Sequence, residues 1–149
     1  MKALKISKEH VILVGSSMGG CMANGIFARE PNLGGMANIN GSGSFVLSEQ
    51  LFRKRDHREV IPDDLRTRLM KYDPVESPAG PSPVLLMHGD SDEVMPIEGQ
   101  RDYFHYLKQK RRRHVDFIVY EGVNHQMTEE MIRDLVGWLN GKSERSVER

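Results

Sequence analysis

Gly15-Ser16-Ser17-Met18-Gly19 reads G-x-S-x-G. Set between a strand and a helix, that spacing presents a serine hydroxyl on a strained turn. The residues two before and two after the serine must then lack bulk. Ser17 is lifted into solvent at a helix N-terminus, and the N–H of Met18 points where an oxyanion would develop. Ser16 does not fit this register, because its flanks are Val14 and Met18. A bare match is common by chance, and an ordinary Gly-rich turn with Ser17 as a helix cap uses the same letters. The strand before it and the helix after it favour the nucleophile.

Two further segments hold groups that a serine nucleophile needs. His88-Gly89-Asp90-Ser91-Asp92-Glu93-Val94-Met95-Pro96 places carboxylates just past an apolar run. A carboxylate there could orient a histidine and stabilise its imidazolium. Asp92 is the first choice and Asp90 the second, although an acidic turn before a helix is commonplace. Glu121-Gly122-Val123-Asn124-His125 places His125 between the last strand and the last helix. From there it can swing over a sheet toward Ser17 and act as general base. A lone histidine in a turn is otherwise a surface residue. His10, His57, His88, His105 and His114 fall in strands or charged helices, without a comparable placement. Each segment alone is weak; together they give the order serine, aspartate, histidine, each just after a successive strand.

The elements that must position these groups alternate. Residues 10–14, 36–40, 84–88 and 115–120 read as strands, β-branched or continuously apolar. Residues 18–29 read as a helix ended before Pro31, and 97–110 as a helix with Tyr103, Phe104 and Leu107 on its inner side. Thr128 can cap a last helix over 129–140, with Glu129 and Glu130 at its positive end and Gly141 at its stop. Its apolar stripe is Met131, Ile132, Leu135, Val136, Trp138 and Leu139. The tail after Lys142 is polar and should fray. Residues 44–82 are charged, hold helical pieces at Ser48–Arg55 and Asp63–Tyr72, and close on a Pro-rich stretch from Pro74 to Pro83. They read as an excursion from the sheet, so residues 1–149 form one α/β domain. Unbroken apolar strands alternating with helices predict a parallel sheet of about four strands, covered on both faces. Chemistry in such sheets sits beyond the carboxyl ends of the strands.

Composition narrows the partners. Lys+Arg and Asp+Glu both number 21, so the net charge is zero. A general nucleic-acid binder needs a basic excess. The longest apolar runs, Val11–Val14 and Val84–Met87, are too short to span a bilayer. The start, Met1-Lys2-Ala3-Leu4-Lys5, lacks the apolar stretch of a secretion signal, which makes a cytoplasmic location the default. Cys21, the one cysteine, can form neither an internal disulfide nor a zinc site alone. It reads as a buried small apolar residue. Met18, Met22, Met95 and Met127 flank the candidate site and could line an adaptable pocket, though core filling serves as well. The basic run 108–114 reads as a solvated helix end before it reads as a phosphate patch.

The segments 10–20, 83–96 and 122–125 resemble the C-terminal part of an α/β-hydrolase, closest to dienelactone-hydrolase-like and prolyl-oligopeptidase-like esterases. Lys71-Tyr72-Asp73 matches a segment found before the third strand in a subgroup of bacterial carboxylesterases. The resemblance implies Ser17 as nucleophile, His125 as base, Asp92 as acid, Met18 N–H in the oxyanion hole and residues 44–82 as a cap over the acyl pocket. It implies a small carboxylic ester as substrate, an acyl-enzyme, and no metal or organic cofactor. A neutral imidazole is needed as base, so activity is expected to rise with pH through roughly 6–7.

The chain also departs from that family. The nucleophile strand of a whole α/β-hydrolase is the fifth of eight, and here only nine residues precede it. The resemblance places the second oxyanion donor in a His-Gly-type loop of that upstream half. Strand 10–14 then becomes an apolar edge that invites another chain. The expected partner is a second copy or the upstream half, encoded before Met1 or on a second polypeptide. The competing reading is a truncated, catalytically impaired relic that serves only as an interaction module.

Overall fold

Four strands pair in parallel in the order in which the chain makes them: β1 (Ile12–Ser16), β2 (Gly35–Ile39), β3 (Val84–Gly89) and β4 (Val115–Tyr120). The structure, a computed structural model, describes residues 5–30, 32–77, 80–110 and 114–141. Pro31, Arg111–Arg113 of the basic run and the tail from Lys142 lie outside the described residues. The register sets Ser16 opposite Ile39, Ile39 opposite Met87, and Met87 opposite Ile118. The four strands therefore end nearly level, and the loops holding Ser17, Asp92 and His125 leave from one rim.

Strand alternation sends side chains to two cores. On one face Met36, Val84, Leu86, Val115 and Phe117 pack with Ala23 and Phe27 of α1 (Met18–Arg29) and with Tyr103, Phe104 and Leu107 of α4 (Glu98–Gln109). On the other, Ala37, Ile39, Leu85, Met87, Ile118 and Tyr120 pack with Met131, Leu135 and Trp138 of α5 (Glu129–Leu139). The Thr128 side chain caps α5, accepting from Met131 N–H at 3.2 Å. Every residue of β2 and β3 is buried.

β1 differs. It lies at the sheet edge, and Ile12 and Val14 are 40% and 47% exposed. Val11 and Leu13 pack into the α1–α4 core, so Ile12 and Val14 point to the α5 side of the sheet. The apolar stripe of α5 also splits in two: Met131, Leu135 and Trp138 meet the sheet, while Ile132, Val136 and Leu139 stay exposed.

Several boundaries move from those expected. The first strand runs Ile12–Ser16 rather than 10–14, because His10 belongs to a 3-10 turn (Lys8–His10) and Gly15 pairs with Asn38 instead of ending the strand. The excursion holds α2 (Phe45–Arg55), α3 (Asp63–Tyr72) and a 3-10 turn (Pro74–Glu76). α2 starts three residues earlier than the sequence suggested. The buried carboxylate of Asp73 accepts from the N–H groups of Phe45 at 3.1 Å and Val46 at 2.9 Å, capping the helix from a distance. Burial pushes this carboxyl above its ordinary range, against the pull of those N–H groups.

Candidate active site

The turn after β1 is built by steric exclusion. Ser17 adopts φ 56° and ψ −123°, a conformation costing about 1–3 kcal/mol in a residue with a side chain. Its N–H donates to Ile39 O at 2.8 Å, and its carbonyl accepts from Gly20 N at 2.9 Å and Cys21 N at 3.1 Å. A Cβ at Gly15 would stand 2.0 Å from Gly19 O, and one at Gly20 would stand 2.3 Å from Asn38 Oδ1. A Cβ at Gly19 would meet nothing within 4 Å. The sequence reading gave the steric role to Gly15 and Gly19; it falls on Gly15 and Gly20 instead. What Gly19 contributes is the carbonyl that crowds Gly15. Met18 opens α1, and at this first position its N–H precedes the i→i−4 ladder of the helix.

The rim brings the three chosen side chains together. Ser17 Oγ lies 2.7 Å from His125 Nε2, and His125 Nδ1 lies 2.8 Å from Asp92 Oδ2. Asp92 has no exposed side-chain surface, and His125 keeps 20% of its own. The other carboxylate oxygen, Oδ1, accepts from Val94 N at 2.9 Å and Met95 N at 2.8 Å. The Asp92 carboxylate is thus oriented by two backbone donors, with Oδ2 facing the His125 imidazole. That oxygen fixes the proton of His125 on Nδ1, and Nε2 is left to accept from the Ser17 hydroxyl.

Asp90, the second choice, takes another post. Its Oδ1 accepts from Gly122 N at 2.7 Å and Ser91 Oγ at 3.0 Å, tying down the base of the loop that carries His125.

Three supporting residues escaped the sequence reading. Asn124 Oδ1 accepts from Glu93 N at 3.0 Å and His125 N at 2.7 Å, which joins the aspartate and histidine loops. Asn40, at φ 50°, donates from Nδ2 to Gln126 O at 2.8 Å and accepts at Oδ1 from Gly89 N at 3.1 Å. Its place just past β2, level with the other strand ends, was the available signal. His88, dismissed as a strand residue, lies with Nε2 3.2 Å from Asp92 Oδ2 and has no exposed surface.

Cys21 is not the buried apolar residue expected from sequence. It is half-buried, and its Sγ accepts from Ser42 N at 3.3 Å. Burial pushes its thiol up, so the thiolate is disfavoured. It borders an apolar hollow of about 490 Å³ beside α1, with Met22, Gly25, Ile26, Phe45 and Tyr72. Arg29 lies at its margin, 4.5 Å from the centre of the Tyr72 ring and donating to Lys71 O at 2.8 Å. Among the described residues no group of three His, Cys, Asp or Glu side chains is placed to hold a metal ion. Among them, too, no helix is long and apolar enough to cross a membrane.

Comparison with known proteins agrees with this architecture. The model of the prolyl oligopeptidase family matches residues 1–144. Among curated proteins no sequence matches the chain. Among solved structures, esterase PE8 superposes with a TM-score of 0.63 at 21% identity, over 91% of this chain and 52% of its own. SOBER1 of Arabidopsis thaliana gives 0.63 at 20% identity, over 92% of this chain and 55% of its own. An acylaminoacyl peptidase of Pyrococcus horikoshii gives 0.67 at 21% identity, over 95% of this chain and 26% of its own. The chain therefore spans about half the length of the two smaller neighbours and a quarter of the peptidase. At these identities the likeness speaks for the fold: four parallel strands flanked by helices, part of an α/β-hydrolase sheet.

Proposed function

Because the chain belongs to the prolyl oligopeptidase family, we propose that Ser17, His125 and Asp92 work as nucleophile, base and acid of a serine hydrolase that cleaves small carboxylic esters. The observation that carries the reading is the continuous relay from Ser17 Oγ through both nitrogens of His125 to Asp92 Oδ2, at 2.7 and 2.8 Å.

In this reading His125 Nε2 takes the hydroxyl proton as Ser17 Oγ bonds to the acyl carbon. Asp92 stabilises the imidazolium that results. Collapse of the tetrahedral intermediate breaks the bond to the alcohol oxygen, which leaves with the proton from Nε2. Water then attacks the acyl-enzyme, giving its proton to the same nitrogen, and the acid departs as Ser17 regains its hydrogen. The N–H of Met18 faces the oxyanion. A second donor comes, by the family resemblance, from a segment upstream in the fold, and a missing donor of this kind costs roughly 10²–10³ in kcat. Residues 44–82 act as the cap, contributing Phe45 and Tyr72 to the hollow beside α1, which suits an apolar acyl chain.

A second reading rests on the edge strand. Ile12, Val14, Ile132, Val136 and Leu139 leave apolar surface exposed on the α5 side, beside unpaired backbone. We propose that this edge binds a second copy or the upstream half of the fold. If turnover depends on that partner, the isolated chain is an interaction module with an assembled but slow site.

Release of p-nitrophenol from its short-chain esters tests the hydrolase reading. Wild-type chain should hydrolyse them above background and Ser17→Ala should not. Equal rates in both would remove Ser17 from the chemistry.

A further inference from the structure

Two imidazoles share one carboxylate oxygen at this site. His125 Nδ1 is 2.8 Å from Asp92 Oδ2, and His88 Nε2 is 3.2 Å from the same atom. His88 stands on β3 with no exposed surface, and its Nε2 lies 2.9 Å from Met95 O. A carbonyl can only accept, so the ring carries its proton on Nε2. The N–H of the same Met95 donates to Asp92 Oδ1 at 2.8 Å. A single residue thus receives His88 with its carbonyl and holds Asp92 with its amide.

We propose that His88 is a positioning residue for Asp92. Its buried ring pins the 92–95 loop to strand β3 and lays the positive end of its Nε2–H beside Oδ2, while His125 alone exchanges protons with Ser17.

The division of labour follows from burial and partners. The charged groups around the His88 ring are Asp92 and, when protonated, His125. A cationic His88 would compete with His125 for the one carboxylate. Burial outweighs the pull of Met95 O and Asp92 and pushes the His88 ring down from its ordinary value, keeping it neutral. Its Nδ1 is buried and, among the described residues, has no hydrogen-bond partner, so none of them would accept a second proton there. His125 is partly open to solvent and lies in reach of Ser17 Oγ. The inference rests on the hydrolase reading for its catalytic meaning; the placement of His88 does not.

The test uses the full chain with 15N-labelled histidine, together with His88→Leu and His88→Gln. Wild-type His88 should show the neutral Nε2–H tautomer, and the His125 Nδ1 proton should appear at low field through its bond to Asp92. His88→Leu should weaken or lose that low-field proton and slow fluorophosphonate capture of Ser17 by roughly 10- to 100-fold, the cost of a small misplacement of a catalytic group. His88→Gln, whose amide can donate to Met95 O, should recover the proton and most of the rate. A His88 proton found on Nδ1 overturns the proposal, as does a folded His88→Leu with wild-type rate and an unmoved His125 proton. If His88→Leu does not fold, the wild-type tautomer and the Gln variant decide. A wild-type chain that is not captured at all defeats the hydrolase reading, while the two resonances still decide the placement of His88.

Discussion

Ser17 Oγ and His125 Nε2 stand 2.7 Å apart although 108 positions separate them in the chain. The parallel register produces this closeness. Strands that end level bring the loops after β1 and β4 to one rim, and Asn40 and Asp90 brace the histidine loop there.

The two aspartates of the third loop should separate cleanly on substitution. Asp92→Asn leaves the fold in place and removes the anion that stabilises the imidazolium, so kcat should fall by roughly 10⁴. Asp90→Asn weakens the ties to Gly122 N and Ser91 Oγ, neither of which touches the Ser17–His125–Asp92 relay, and should stay within about tenfold of wild type. Steady-state ester hydrolysis with far-UV circular dichroism as a fold control measures both.

Gly15 and Gly19 should differ just as clearly in stability. An alanine at 15 drives its Cβ into the Gly19 backbone and should cost about 1–3 kcal/mol or more. An alanine at 19 meets open space and should be tolerated. Thermal melts of the two variants check this, and equal losses would count against the described turn.

Acid stability should carry the mark of His88. Its ring is pushed down by burial in the folded chain, so the unfolded chain binds more protons below about pH 6.5. Stability is fully present above that pH and declines as pH falls through it. His88→Gln should flatten this part of the profile, measured by urea unfolding between pH 5 and 8 (roughly the histidine range).

The exposed edge should govern association. Wild-type chain is expected to self-associate, and Ile12→Lys with Val14→Lys should render it monomeric, because charge on an edge strand discourages pairing. Light scattering across a concentration series reads the change. A wild-type chain that stays monomeric at high concentration would count against association of copies through this edge.

Much of this site was legible from residue order, for a physical reason. In a parallel sheet, chemistry collects where strands end, and Ser17, Asp92 and His125 each follow an apolar run within a few positions. What stayed hidden depends on contacts between distant segments. His88 lies inside a strand, and its partner is a backbone carbonyl that only the folded loop supplies. α2 begins at Phe45 because Asp73, nearly thirty positions on, caps it. Gly15 looked like a strand stop, yet its neighbours on β2 hold it in the ladder. Cys21 looked like core, yet the hollow beside it depends on Phe45 and Tyr72 folding back over α1.

Peptide mapping after fluorophosphonate treatment identifies the attacking side chain. One phosphonylated residue is expected, Ser17, with capture abolished in Ser17→Ala and strongly slowed in His125→Ala. An adduct on another residue, or capture that persists in Ser17→Ala, would contradict it.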